Sequence, residues 1–139
     1  MAVIKMKCNC GMIIESNVGD SIYNNNLRWY QTYCCDNCGN AMEMDGIGDI
    51  PSEIKKAIMM QEGSYGLFSS DLKNRNKIIY LLKKMPYKDL DLFDLFKEGK
   101  SDEIIRGTQN EVTFIKDYLV TKGVKSCKVK LLLLNQSSY

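Results

Sequence analysis

Residues 33–46 read YCCDNCGNAMEMDG, and residues 8–11 read CNCG. Each stretch sets two closely spaced cysteines before a glycine. A Cys-x-x-Cys-Gly turn aims two thiolates and nearby backbone N–H groups at one point. The glycine takes the positive-φ position that closes the turn. Two such turns supply four thiolates, the closed tetrahedral set of a structural zinc site. The candidate ligands are Cys8, Cys10, Cys35 and Cys38, with Zn²⁺ as the cofactor. The first half, Cys-x-Cys, is one residue shorter than the usual form. Cys34 is the spare thiol, because its neighbour Cys35 gives the two-residue gap to Cys38. Two other chemistries use such residues. One is a redox Cys-x-x-Cys, which needs a βαβ context that residues 35–38 lack. The other is a set of buried thiols in a small β-unit.

Elements must bring the two halves together. Val3 to Cys8 alternates as a strand, and Met12 to Glu15 continues as a second. Leu27 to Tyr33 and Ala41 to Met44 make a third and a fourth. SNVGDSIYNNN, residues 16–26, reads as a turn-rich connection. The spacing of the halves and the short strands resemble a zinc ribbon. A β-unit this small buries little apolar surface, so a metal staple makes physical sense. Lys5 and Lys7 can offset the net negative charge of four thiolates on one divalent ion.

GDIPSEIKKAIMMQEG follows. Pro51 suits a first helical turn and Gly63 a C-terminal stop, with Ile54, Ile58 and Met59 on one stripe. Next comes YGLFSSD as a strand and NRNKIIYLLKKM as a helix carrying Ile78, Leu82 and Met85. Pro86 breaks that helix. KDLDLFDLFKEG is a second helix and DEIIRG a short strand. TQNEVTFIKDYLVTKG opens with Thr108 and Glu111 at capping-box spacing and stops at Gly123. It carries Val112, Ile115 and Leu119 on one face. VKSCKVKL closes as a strand with Cys127, Val129 and Leu131 inward, which makes Cys127 a core thiol. Continued alternation sets Leu133 inward, and Leu132 and Leu134 on the face of Lys128 and Lys130. The expected core includes Leu82, Phe93, Phe96, Ile115, Leu119 and Val129.

The order β-α-α-β-α-β resembles the C-terminal domain of the bacterial ribosomal stalk protein. NKIIYLLKKM, LDLFDLFKEG and RGTQNEVTFIKDYLVTKGVKSCKVKL carry the likeness. It implies three helices on a three-stranded antiparallel sheet. In that family the first helix offers lysines to translation factors, and Lys77 stands at a matching place. PYKDLD replaces the family's glycines between the first two helices, and a cysteine unit stands where its acidic dimerising region would be. Fold likeness does not carry that function over. The expectation is an α+β chain: residues 1–48 a zinc-ribbon-like β-unit, 49–63 a connecting helix, and 64–139 the stalk-like domain.

The totals bound the function. The chain has 139 residues, 45% hydrophobic and 26% charged, which argues for globular structure. Its net charge of +2 is too small for a strong non-specific grip on nucleic acid. The first residues lack the apolar stretch of a signal peptide, and no apolar run approaches the roughly 20 residues of a spanning helix. The expected compartment is the cytoplasm, where six cysteines point to metal or buried thiols rather than disulfides. There is no histidine, which removes the commonest general base and the usual partner of a Cys or Ser nucleophile. Asp89, Asp91 and Asp94 read as acids favouring a helix N-terminus. No phosphate-binding glycine loop appears. Arg28, Trp29 and Tyr30 can stack on bases or serve as core. No catalytic residue is expected.

What remains is a small non-enzymatic protein that binds another protein. At class level it resembles the immunity proteins of polymorphic or contact-dependent bacterial toxin systems, which bind a cognate toxin domain. Local acids, Asp45, Asp49 and Glu53 and then Asp89 to Glu103, suit a basic partner. The rival expectation is a zinc-ribbon protein associated with nucleic acid or the ribosome.

Overall fold

The computed structural model describes residues 2–69, 75–85 and 103–133. Four strands open the chain: β1 (Ala2–Lys7), β2 (Ile13–Tyr23), β3 (Asn26–Cys34) and β4 (Ala41–Ile47). They form an antiparallel meander in the order β1-β2-β3-β4. Helix α1 (Ser52–Glu62) leads into β5 (Ser64–Ser69) and α2 (Arg75–Lys84). After residues outside the described set come β6 (Glu103–Gly107), α3 (Gln109–Thr121) and β7 (Cys127–Leu133). The second sheet has the order β6-β5-β7, with both outer strands antiparallel to β5. The two outer strands therefore run parallel to each other, joined across β5 by α3. The molecule is mixed α+β, with antiparallel sheets of four and three strands and three helices among the described residues. The expected helix at 88–99, with Phe93, Phe96, Asp89, Asp91 and Asp94, lies outside them, as does Leu134.

One expectation is corrected in the first sheet. Residues 16–23 are strand, and β2 runs for 11 residues. Only Asn24 and Asn25 turn the chain, both with positive φ. That conformation belongs to a two-residue hairpin turn, which asparagine tolerates well. The weak strand formers of β2 are held from outside it. Gly19 lies opposite Tyr30, whose ring occupies the space a Cβ would need. Gly46 of β4 lies under Trp29 in the same way.

The inner face of this sheet carries Ala2, Val18 and Leu27 into the core, with Trp29 packed at its margin. Helix α1 contributes Ile54, Ala57 and Ile58, and α3 contributes Val112, Ile115 and Leu119. Leu67 of β5, Ile78 and Leu82 of α2, and Ile104 of β6 join the same cluster. The buried apolar cluster thus runs unbroken from the first sheet to the second, with α1 between them.

Polar bonds pin the junction. Thr108, the N-cap of α3, accepts from the Glu111 N–H and donates to the Asp20 carboxylate in β2. Asn110 Nδ2 donates to Asp20 Oδ1 at 3.0 Å and to its carbonyl at 3.1 Å. Glu111 is fully buried, and its Oε2 lies 3.0 Å from Lys55 Nζ of α1. A Cβ on Gly107 would collide with Glu111 Oε1, so any larger residue there must displace that buried carboxylate.

In β7, Cys127 is buried and Val129 half-buried, alternating with exposed Lys128 and Lys130. The alternation holds through Leu132, which stands as expected on the face of Lys128 and Lys130, beside their partners Phe68 and Gly66. Tyr65 pairs Leu131, whereas Ser64 pairs Leu133, which leaves Leu132 in a bulge. Leu131, expected inward, is 50% exposed, and Leu132 is half-buried over Gly66 beside Phe68.

Candidate metal centre

A meander of four strands puts its first and third connections at the same end of the sheet. The β1–β2 loop holds Cys8 and Cys10, and the β3–β4 loop holds Cys35 and Cys38. The two loops are built alike. In the first, the Cys8 N–H donates to the Met12 carbonyl and the Gly11 N–H to the Cys8 carbonyl, both at 2.8 Å. In the second, the Cys35 N–H donates to the Asn40 carbonyl and the Gly39 N–H to the Cys35 carbonyl, both at 2.7 Å. Gly11 and Gly39 carry the positive φ, 97° and 76°. The first loop closes one residue sooner, which is how Cys-x-Cys does the work of Cys-x-x-Cys.

All four Sγ atoms lie within 4.8 Å of one another. Cys8 Sγ is 3.6 Å from Cys38 Sγ, and Cys10 Sγ is 3.6 Å from Cys35 Sγ. A tetrahedron of thiolates at about 2.3 Å from zinc has edges of about 3.8 Å. The four cysteines can hold a metal ion with little movement. Each loop gives one buried thiol, Cys8 at 4% and Cys35 at 1% exposure, and one exposed thiol, Cys10 or Cys38. The site sits at the rim of the sheet with its inner half shielded.

Asn37 Nδ2 points at Cys10 Sγ from 3.5 Å. That bond, with the Met12 amide and neighbouring thiols, pulls the Cys10 thiol down to about 6 despite partial desolvation. At Cys38 the Asn40 amide favours the thiolate, but Cys8, desolvation, Cys10 and Cys35 outweigh it and push the thiol up to about 12. Of these two thiols, Cys10 therefore holds negative charge more readily than Cys38. A divalent cation held among the cysteines would favour their thiolate forms.

The structure brings together all four cysteines singled out from the sequence. Cys34 ends β3, exposed and opposite Ala41, outside the cluster. Cys127 is buried in β7, where burial pushes its thiol up. Lys5 and Lys7 are exposed on β1. Sequence reasoning missed Asn37, which only the fold of the second loop turns toward Cys10.

Two surface features lie away from the cluster. A cavity of about 340 Å³ on the first sheet is lined by Ser21, Tyr23, Arg28, Trp29, Tyr30 and Asp45. Arg28 lies 5.8 Å from the centre of the Tyr23 ring. Another of about 290 Å³, between the β2–β3 hairpin and α3, is lined by Ile22, Asn25, Phe114, Asp117, Tyr118 and Thr121. No helix among the described residues is long and apolar enough to cross a membrane. Comparison with family models, with curated proteins and with solved structures returns no match.

Proposed function

We propose that Cys8, Cys10, Cys35 and Cys38 hold a structural Zn²⁺, and that the chain acts by binding another protein, a cognate bacterial toxin domain that it neutralises. The metal reading is carried by the four-thiol cluster. Two hairpin loops of matching hydrogen-bond pattern converge their Sγ atoms near the edge lengths of a zinc tetrahedron. Four protein thiolates close the coordination sphere, and a closed sphere serves structure rather than catalysis. Protein purified without chelator should contain one zinc per chain, and metal-free protein folded to the same stability would overturn the reading.

The protein-binding reading rests on charge. No lysine or arginine occurs between Arg28 and Lys55, while Asp36, Glu43, Asp45, Asp49 and Glu53 all do. A one-signed acidic stretch of this kind, on a chain whose remainder is net basic, steers encounter with a basic partner. Nuclease domains of toxins are basic because their substrates are phosphates. Co-expression with the product of the adjacent gene decides the matter. A stable complex and relief of that product's toxicity support the reading. A harmless neighbour that does not bind removes it.

One observation favours nucleic acid as the partner instead, the aromatic cavity holding Tyr23, Trp29 and Tyr30 beside Arg28. Asp45 in the same lining opposes phosphate. Salt-sensitive binding of single-stranded RNA or DNA would reverse the preference.

A further inference from the structure

The two outer edges of the first sheet are finished differently. At β1, Gln61 of α1 lays its side-chain amide along the strand. Gln61 Nε2 donates to the Val3 carbonyl at 2.7 Å, and Gln61 Oε1 accepts from the Val3 N–H at 3.0 Å. The amide imitates one residue of a neighbouring strand and occupies that edge at Val3. At β4 no described residue does this, and β4 ends the strand order. Seven residues, Ala41 to Ile47, pair with β3 on one side only.

The side chains of β4 are sorted by face. Met42 and Met44 lie on the face that carries Trp29 and Gln31, and Met44 is 43% exposed. Glu43 and Asp45 lie on the other face, both exposed. An incoming strand would meet methionine on one side and carboxylate on the other, in strict alternation. A second copy of this chain is a poor guest, because antiparallel pairing of two β4 edges sets their carboxylates against each other. A basic strand turns the same charges into attraction.

We infer that β4 is an edge built to accept an extended basic segment of a partner polypeptide, one alternating apolar side chains with lysine or arginine. Backbone pairing along Ala41–Ile47 supplies the affinity. Glu43 and Asp45 choose the sign of the guest, and Met42 and Met44 provide the adaptable apolar contact. The four-thiolate centre sits in the hairpin that begins β4, so it anchors this edge. The inference rests on the protein-binding reading and names the partner's chemistry.

The probe is a synthetic peptide alternating lysine and valine, with a glutamate–valine peptide as its control. Titration into the full, metal-loaded chain is followed by amide NMR shifts and hydrogen exchange. The lysine peptide should move the amides of β4 and protect those that point away from β3, and its binding should weaken as salt rises. The glutamate peptide should not bind. The E43K/D45K variant should lose roughly tenfold or more in affinity for the lysine peptide and gain affinity for the glutamate peptide. Both substitutions are at exposed positions, and an unchanged melting temperature confirms that the variant is folded. No binding, shifts at β6 or β7 instead of β4, or equal affinity for the variant would overturn the inference. So would concentration-dependent self-association through β4, which would make the edge a homodimer seam. If the adjacent gene's product is bound equally well by the parent and by E43K/D45K, the edge falls while protein binding stands.

Discussion

Cys35, like Cys8 in the first loop, is a buried thiol that also closes its own turn. Its side chain is buried, its N–H and carbonyl close the second loop, and its Sγ faces Cys10. Cys35→Ser should abolish zinc binding and lower the melting temperature, because a serine hydroxyl neither ionises nor suits the buried position. Cys34→Ser and Cys127→Ser should leave one zinc per chain, as a colorimetric metal assay after denaturation will show. Cys127 supplies a pH test as well. Burial raises its thiol above the ordinary value, so the thiolate is scarce near neutrality and increases at higher pH. Its alkylation in the folded protein should therefore be slow at pH 7 and accelerate on going alkaline. This constellation was legible because thiolate pairs need fixed local spacing, which a sequence displays. Gly107 was not. Its need for glycine comes from the Glu111 carboxylate, placed there by Lys55 from another helix. Gly107→Ala should cost about 3 kcal/mol in denaturant unfolding, the scale for displacing one member of a buried ion pair.

At the scale of elements, α3 is the clearest case of a helix whose start does two jobs. The capping hydroxyl of Thr108 answers the Glu111 N–H, as its spacing predicted, and also reaches Asp20 in β2. Thr108→Ala should destabilise by about 1–2 kcal/mol, the upper range for a lost cap, because the bond across the junction goes with it. Thr108→Ser should retain most of the stability, and thermal unfolding of the pair separates the hydroxyl from the methyl. The amphipathic stripes of α1 and α3 were readable because period and capping are local. The long β2 strand was not, since Asn17, Gly19, Asp20 and Ser21 each disfavour it. Tyr30 covers Gly19, and Asn110 and Thr108 hold Asp20, so tertiary contacts supply what local propensity withholds. In β7 the face of Leu132 follows from the two-residue period, but the exposure of Leu131 does not. Nor does anything in KVKLLLL announce the bulge against β5 that follows.

At the scale of the whole molecule, the question is whether the sheet that bears the cysteine cluster and the helix-covered sheet are two bodies or one. From the sequence they read as separate units, 1–48 and 64–139, joined by α1. The apolar cluster instead passes through α1 without interruption, from Ala2 and Val18 to Leu67, Leu82 and Leu119. The bonds of Asp20 to Thr108 and Asn110, and the Lys55–Glu111 pair, cross the same junction. Groups that share one desolvated cluster lose their packing together, so unfolding should be a single cooperative transition. Trp29, the only tryptophan, reports from the first sheet and packs against that cluster. Leu82 lies in α2, on the far side of the junction, and is 2% exposed. Leu82→Ala should cost about 2–5 kcal/mol. In a single body that loss must lower the unfolding midpoint seen by Trp29 fluorescence as much as the midpoint seen by helical circular dichroism. Removing zinc by chelation should likewise move both signals together. A Trp29 midpoint that ignores Leu82→Ala, or a helical signal that ignores chelation, would mean that the two sheets unfold independently despite their common core.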